Sequence, residues 1–387
     1  MLKLCHLSTW ALLSLQLLPT SANGHAHQGA PVYKRDDFAY AVKTPSKADS
    51  SRGRLPMTVG GDYAKIGFNV SIGTPRLRHL PLFIRMGDRD SFIYIKGLNT
   101  KCADYDPALS STAVTLRGEW GHEIGFYGKY FTDLFSLGDL PAVRQNFIGI
   151  ISTRNDEALD DMDNPDGFCG QIGLGLRDNE PMVGNTFMEG LFKAGAISKK
   201  LFALQVSSDS FIQFGAINHS AYVDHLLWSP VLTHVGGWAV QADGFVVNNK
   251  VVPNTGGPLQ FETASAYTTI PERIASKLFA HIDHKLSKFD SDSTLAQLLF
   301  KCDISDKESV GYSIKGRMYS LALKTLVSTE SKTEYPGYCL SPFAQVADKS
   351  SNFSVISALF MQMFYGIFEL EHDDGKPAVG LALPPGW

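Results

Sequence analysis

Charge is scarce in this sequence. Asp, Glu, Lys and Arg make up 19% of its 387 residues and nearly cancel, leaving a formal net charge of −4. Without a basic excess the chain has no electrostatic footprint for nucleic acid or an anionic membrane surface. Cysteine is scarce too, five in all, at spacings that match no zinc pattern. His122-Glu123 opens like a zinc-peptidase motif but lacks the second histidine, and no Gly-x-Ser-x-Gly elbow occurs. The glycine-rich Gly170-Gln-Ile-Gly-Leu-Gly175 is not followed by the Lys-Ser/Thr of a phosphate loop, so it reads as a tight core turn. After the N-terminus the longest apolar stretch, Ser357 to Phe368, falls well short of the ~20 residues that cross a bilayer. What is plentiful is apolar, aromatic and turn-forming: 44% hydrophobic residues, 24 Phe, 14 Tyr, 35 Gly and 19 Pro. That composition describes a turn-rich globule. Its length suits two cores, since one seldom grows past about 250–300 residues.

The N-terminus reads as a secretory leader over residues 1–23: Lys3, an apolar stretch from Leu4 to Leu18, then small residues from Thr20 to Gly24. Residues 24–56 are polar and unpatterned, a short pro-segment or mobile arm, with Lys34-Arg35 as a dibasic processing site. Cys5 leaves with the leader. Cys102, Cys169, Cys302 and Cys339 remain, and in an oxidising compartment four cysteines give two disulfides with three possible connectivities. Asn69, Asn218 and Asn352 each open an Asn-x-Ser glycosylation acceptor. These features together predict a secreted, extracellular protein.

From Tyr63 onward the pattern is short strands between Gly, Pro and Asn/Asp turns. The clearest are Ala64 to Ile72, Leu80 to Arg85, Phe92 to Ile95, Ile124 to Tyr130 and Phe202 to Phe214. A helix is predicted from Glu272 to Lys288, where Ile274, Leu278, Ile282 and Leu286 form a stripe behind Pro271. Phe187 to Ala194 and Leu295 to Phe300 read as shorter helices. His281 and His284 share a face of the longer one, but without a third ligand they suit a surface or packing role. The two halves also echo each other. Leu82 to Gly87 resembles Leu259 to Ala264, each an apolar strand entering a polar turn, and each is followed later by an apolar segment, Gln171 to Gly175 and Val355 to Phe360.

Several segments then occur in a telling order. Ile72-Gly-Thr-Pro75 closes an opening strand, and Leu82-Phe-Ile-Arg-Met-Gly-Asp-Arg-Asp-Ser-Phe92 follows it. Next come Pro107-Ala-Leu-Ser-Ser-Thr112, Trp120-Gly121, Phe214-Gly-Ala-Ile-Asn218 and Trp238 to Val247. Glu262-Thr-Ala264 with Pro271, Cys302 with Cys339, and Tyr365 to Ala382 complete the series. In this order they resemble the pepsin-like aspartic peptidases from about Met57 to the end. The resemblance implies a mostly β, two-lobed acid protease fold with a central cleft and a flap hairpin, its lobes at 57–222 and 223–387. It places Arg85 and Glu262 at the two catalytic positions, Gly87 and Thr263 beside them, and Trp120-Gly121 on the flap as further binding residues. It pairs Cys302 with Cys339, which leaves Cys102 and Cys169 for each other. It implies a monomer that takes a peptide or protein in its cleft and uses no cofactor or metal.

The chemistry of that family requires two carboxylates about 3 Å apart that share a proton, one activating water while the other donates to the scissile carbonyl. An arginine stays protonated at any working pH and cannot serve as that base. Met86 stands for the motif's Thr, Ala264 for its second Gly, and Ser357-Ala358 for a later Gly-Asp; no Asp-Thr-Gly or Asp-Ser-Gly occurs anywhere. The expectation is a non-catalytic homologue in which Arg85 and Glu262 form an ion pair across the cleft floor, because a buried Arg needs a partner. The alternative is an active acidic endopeptidase in which Asp88 or Asp90 substitutes for the missing acid.

Overall fold

A computed structural model of the chain describes residues 52–60, 65–75, 77–98, 105–121, 125–153, 167–176, 184–288, 294–328, 333–347 and 352–386. The leader, most of the 24–56 arm with its dibasic site, Cys102 and His122-Glu123 lie outside the described residues. Within them the chain is mostly β, in sheets of eight, seven, six and four strands. No helix of the described residues is long and apolar enough to cross a membrane.

The echo between the halves is a shared topology. In the first half Leu77–Arg85 pairs in parallel with Gly170–Gly173, placing Arg85 opposite Gly173. Phe92–Tyr94, which follows, pairs antiparallel with that same middle strand and parallel with Val143–Thr153. In the second half Gly257–Phe261 pairs in parallel with Ser354–Ile356, placing Phe261 opposite Ile356. Thr268–Pro271 then pairs antiparallel with that middle strand and parallel with Tyr338–Val346. The turns that carry Arg85 and Glu262 therefore occupy equivalent places, each leaving a strand clamped beside a crossing one.

The six-stranded sheet joins the halves. Its order is Arg54–Pro56, Phe211–Phe214, Leu201–Gln205, Tyr365–Glu369, Ala378–Ala382 and Leu227–Pro230. Side chains alternate across it as the pleat dictates. Phe202, Phe214 and Phe368 enter a main core that includes residues of both halves, while Leu201, Phe211, Tyr365 and Ile367 cluster on the opposite face. The end of the segment expected as an arm is thus a strand: Arg54–Pro56 pairs with Phe211–Phe214, Leu55 is buried, and the Arg54 guanidinium lies 4.2 Å over the Phe211 ring. A sheet edge supplies what the polar sequence alone could not.

The short helix Phe187–Lys193 forms as expected, with Thr186 and Glu189 closing a capping box. The predicted helix over 272–288 does not run through. It stops at Leu278, and His284–Lys288 is a strand paired with Leu295–Lys301, itself expected as a helix. Just past Leu278 the Phe279 ring lies 4.9 Å from the Phe300 ring and 5.4 Å from the Phe343 ring, where the chain turns onto the sheet. His281 is consequently an exposed turn residue, and His284 packs beside Phe279.

Beneath the hairpin Val114–Gly121/Phe126–Ser136, a buried carboxylate ties down the Pro107–Thr112 segment. Asp133 accepts from the Tyr105 hydroxyl at 2.7 Å and the Thr112 hydroxyl at 2.6 Å. Burial, reinforced by this carboxylate, pushes Tyr105 well above the ordinary tyrosine range. In the second half Cys302, just past the end of Leu295–Lys301, and Cys339, on the neighbouring strand, form the expected disulfide across a sequence separation of 37 residues. Replacing both by Ser should lower stability by about 2–5 kcal/mol, read as a lower urea midpoint with a steeper slope, since the uncrosslinked unfolded chain exposes more surface.

Candidate functional site

Both turns meet at one floor. Arg85 is the last residue of its strand and only 5% exposed; its carbonyl accepts from the Leu174 amide at 2.8 Å. Glu262 follows Phe261, is 2% exposed, and donates its own amide to the Ile356 carbonyl at 3.0 Å. Its carboxylate crosses to the other half. Oε2 accepts from the Gly87 amide at 2.9 Å, while Oε1 accepts from the Met86 amide at 3.2 Å and the Ala264 amide at 3.0 Å. Beside it Thr263, fully buried, donates its hydroxyl to the Ile84 carbonyl at 2.7 Å. A further bond joins the halves behind the floor, from the Trp238 indole to the Leu174 carbonyl at 2.8 Å.

The expected ion pair is therefore replaced at Glu262 by backbone donors. Two features of the sequence allow this. Glutamate has one more methylene than aspartate, and Gly87 has no side chain in the way; a Cβ there would lie 2.4 Å from Glu262 Oε2. Amides already fixed in a turn can meet the buried charge of Glu262 directly.

The rest of the first turn is held from below. Gln171, fully buried, donates its Nε2 to Asp88 Oδ2 at 2.9 Å and to the Asp90 carbonyl at 2.8 Å. Asp88 Oδ1 accepts from the Asp90 amide at 2.9 Å, so Asp88 is engaged in bracing its own turn rather than in contact with Glu262. Gly173 lets the chain pass so close that a Cβ would sit 2.3 Å from the Arg89 backbone. The Arg89 Nε lies 3.9 Å from Asp90 Oδ1. Burial raises the Tyr130 hydroxyl above its ordinary range; the Asp90 charge adds to this and the Arg89 charge opposes it. Sequence reasoning missed Gln171 as a turn brace, since a polar residue within a glycine-rich segment carries no signal of its target.

Ala264 packs with Phe83, Phe92, Tyr94, Phe126 and Phe168, and its methyl is absorbed by that aromatic cluster. Trp120 lies half-buried against the same cluster, and Gly121 beside it is exposed, both on the hairpin strand. Met86 enters the main core, and the Ser357 hydroxyl lies 3.1 Å from that of Thr268. The other sequence-derived residues lie apart from the floor. Cys169 is buried, its Sγ 3.7 Å from the Gly167 carbonyl, and its expected pairing with Cys102 falls outside the described residues. Asn69 and Asn352 are exposed, while Asn218 caps a short helical turn and accepts from the Ser220 amide and hydroxyl. Among the described residues no three His, Cys, Asp or Glu side chains converge as a metal site.

The floor, its two equivalent turns and all of the joining sheet except Arg54–Pro56 lie within the reach of a known family model. Residues 67–383 match that of the eukaryotic aspartyl protease. The chain belongs to this family. It is 26% identical to a pregnancy-associated glycoprotein of Equus caballus over 362 residues, covering 87% of this chain and 85% of that protein. It is 25% identical to rhizopuspepsin of Rhizopus chinensis, over 86% of this chain and 82% of that protein. Mucorpepsin of Rhizomucor miehei is 27% identical over 56% of this chain and 55% of its own length. Members of the aspartyl protease family bind peptide substrates in a cleft.

Two substitutions probe the floor of this aspartyl protease homologue. Gly87→Ala displaces Glu262 Oε2 and should cost about 1.5–3 kcal/mol, the value of a bond to a charged group. Thr263→Val removes one neutral bond and should cost about 0.5–1.5 kcal/mol. Chemical denaturation of both variants checks the order.

Proposed function

We propose that this protein is a secreted, monomeric aspartic-peptidase homologue whose cleft binds an extended peptide or protein segment without cutting it. Arg85 and Glu262 occupy the two catalytic positions, after a leader at 1–23 and a pro-segment at 24–56, with the lobes divided at 222/223. The observation that carries the reading is the pair of equivalent turns: one presents Arg85, and the other a Glu262 carboxylate already accepting three amide bonds. Water-mediated hydrolysis in this family needs two acids that exchange a proton, and an arginine cannot be one of them. Asp88, braced by Gln171 and the Asp90 amide, supports this reading over the active alternative.

The hairpin with Trp120 and Gly121 serves as the flap. It offers an aromatic ring over the cleft, and Gly87 and Thr263 complete the floor beneath a bound strand. Recognition then rests on main-chain pairing and side-chain pockets, as in other strand-addition sites. Glycans on Asn69, Asn218 and Asn352 fit an extracellular location.

The decisive assay is cleavage of denatured protein by the purified mature chain from about pH 2.5 to 7, the range of shared-proton carboxylates. No cleavage is expected, while calorimetry should detect binding of a statine-type peptide. Cleavage abolished by that inhibitor would sink the non-catalytic reading. Activity gained by Arg85→Asp/Glu262→Asp would show that the cleft still accepts substrate.

A further inference from the structure

We infer that Glu262 is a positioning residue whose carboxylate clasps the cleft-floor turns of both halves. This rests on the reading above that residues 85 and 262 are the equivalent catalytic positions. Ala264 stands two residues after Glu262, and Gly87 stands two residues after Arg85, at the same point of the equivalent turn. Glu262 accepts from the Ala264 amide at 3.0 Å. Applied to the other half, the same geometry would give the Gly87 amide to a carboxylate at position 85. Arg85 has no acceptor oxygen in its side chain, so that amide needs one from elsewhere. Glu262 supplies it, at 2.9 Å, and takes the Met86 amide at 3.2 Å as well.

One acid thus does the holding that the topology lays out for two. Three of the roughly four acceptor sites of a carboxylate are filled, in a side chain 2% exposed. An aspartate, shorter by one carbon–carbon bond of about 1.5 Å, does not span from its own turn to the opposite amides. The two departures from paired acids are therefore complementary: Arg85 vacates the Met86–Gly87 amides, and the longer Glu262 collects them. Trp238 and Thr263 join the halves nearby, but neither brings a charge to those amides.

The test is a double-mutant cycle on the full chain, read by unfolding midpoint and by amide hydrogen exchange. Glu262→Asp should speed exchange at Met86 and Gly87 by about tenfold or more, the loss of charge-assisted bonds, while Ala264 stays protected. Arg85→Asp sets two carboxylates against shared donors and should lower the midpoint. In the double variant each acid takes its own turn's amide, so the midpoint should exceed that of either single variant. Additive losses, or unchanged exchange at Gly87 in Glu262→Asp, would overturn the clasp. Should Arg85→Asp fail to fold, Glu262→Gln decides: it keeps the length but only one acceptor oxygen, which suits the paired Met86 and Ala264 amides, so its Met86 exchange should stay slower than in Glu262→Asp. Exchange as fast as in Glu262→Asp would end the argument from length. Neither readout uses a substrate, so the clasp and the non-catalytic reading fail separately.

Discussion

A buried carboxylate must find donors, and here two of the three belong to the other half of the chain. That constraint organises the floor of the molecule. Gly87 has to be bare for Glu262 Oε2 to arrive, and Gly173 has to be bare for the Arg89 backbone to pass. Gln171 has to hold Asp88 and the Asp90 carbonyl so that the Gly87 amide is aimed across the gap. The bonds from Thr263 and Trp238 keep the two crossing-strand units from sliding against each other. Each of these contacts is modest alone; they are worth more together because each fixes the geometry the next requires.

The aromatic cluster beside the floor belongs to the same arrangement. Phe83 and Phe92 flank the first turn, Ala264 enters from the second, and Trp120 reaches down from the hairpin. Polar floor and apolar wall therefore share residues. A change in how the halves sit would be felt by the hairpin through ring contacts, with no loop needing to carry the message.

Much of this was legible in the sequence, and for identifiable reasons. The strand before Arg85 and the one before Glu262 announced themselves by apolar runs ending in polar turns, and the repeat between the halves is a real topological repeat. The disulfide followed from a family resemblance and not from spacing. The helix over 272–288 failed because its stripe ended in Leu286, which is 38% exposed on an edge strand; helical periodicity alone cannot tell a core position from an accidental one. The ion pair failed because sequence gives charges but not reach: one methylene decided which donors Glu262 meets. Gln171 stayed hidden since its partners come from a strand crossing that only the fold creates.

The six-stranded sheet has a consequence for how such a chain is made. Leu201–Gln205 lies between Phe211–Phe214, its near neighbour in sequence, and Tyr365–Glu369, which is made long after it. Until that later strand emerges, Leu201–Gln205 keeps an open edge, the condition that invites wrong pairing. The joining sheet therefore completes itself only once the second half is made, and a chain cut before Tyr365 loses the seam between the halves.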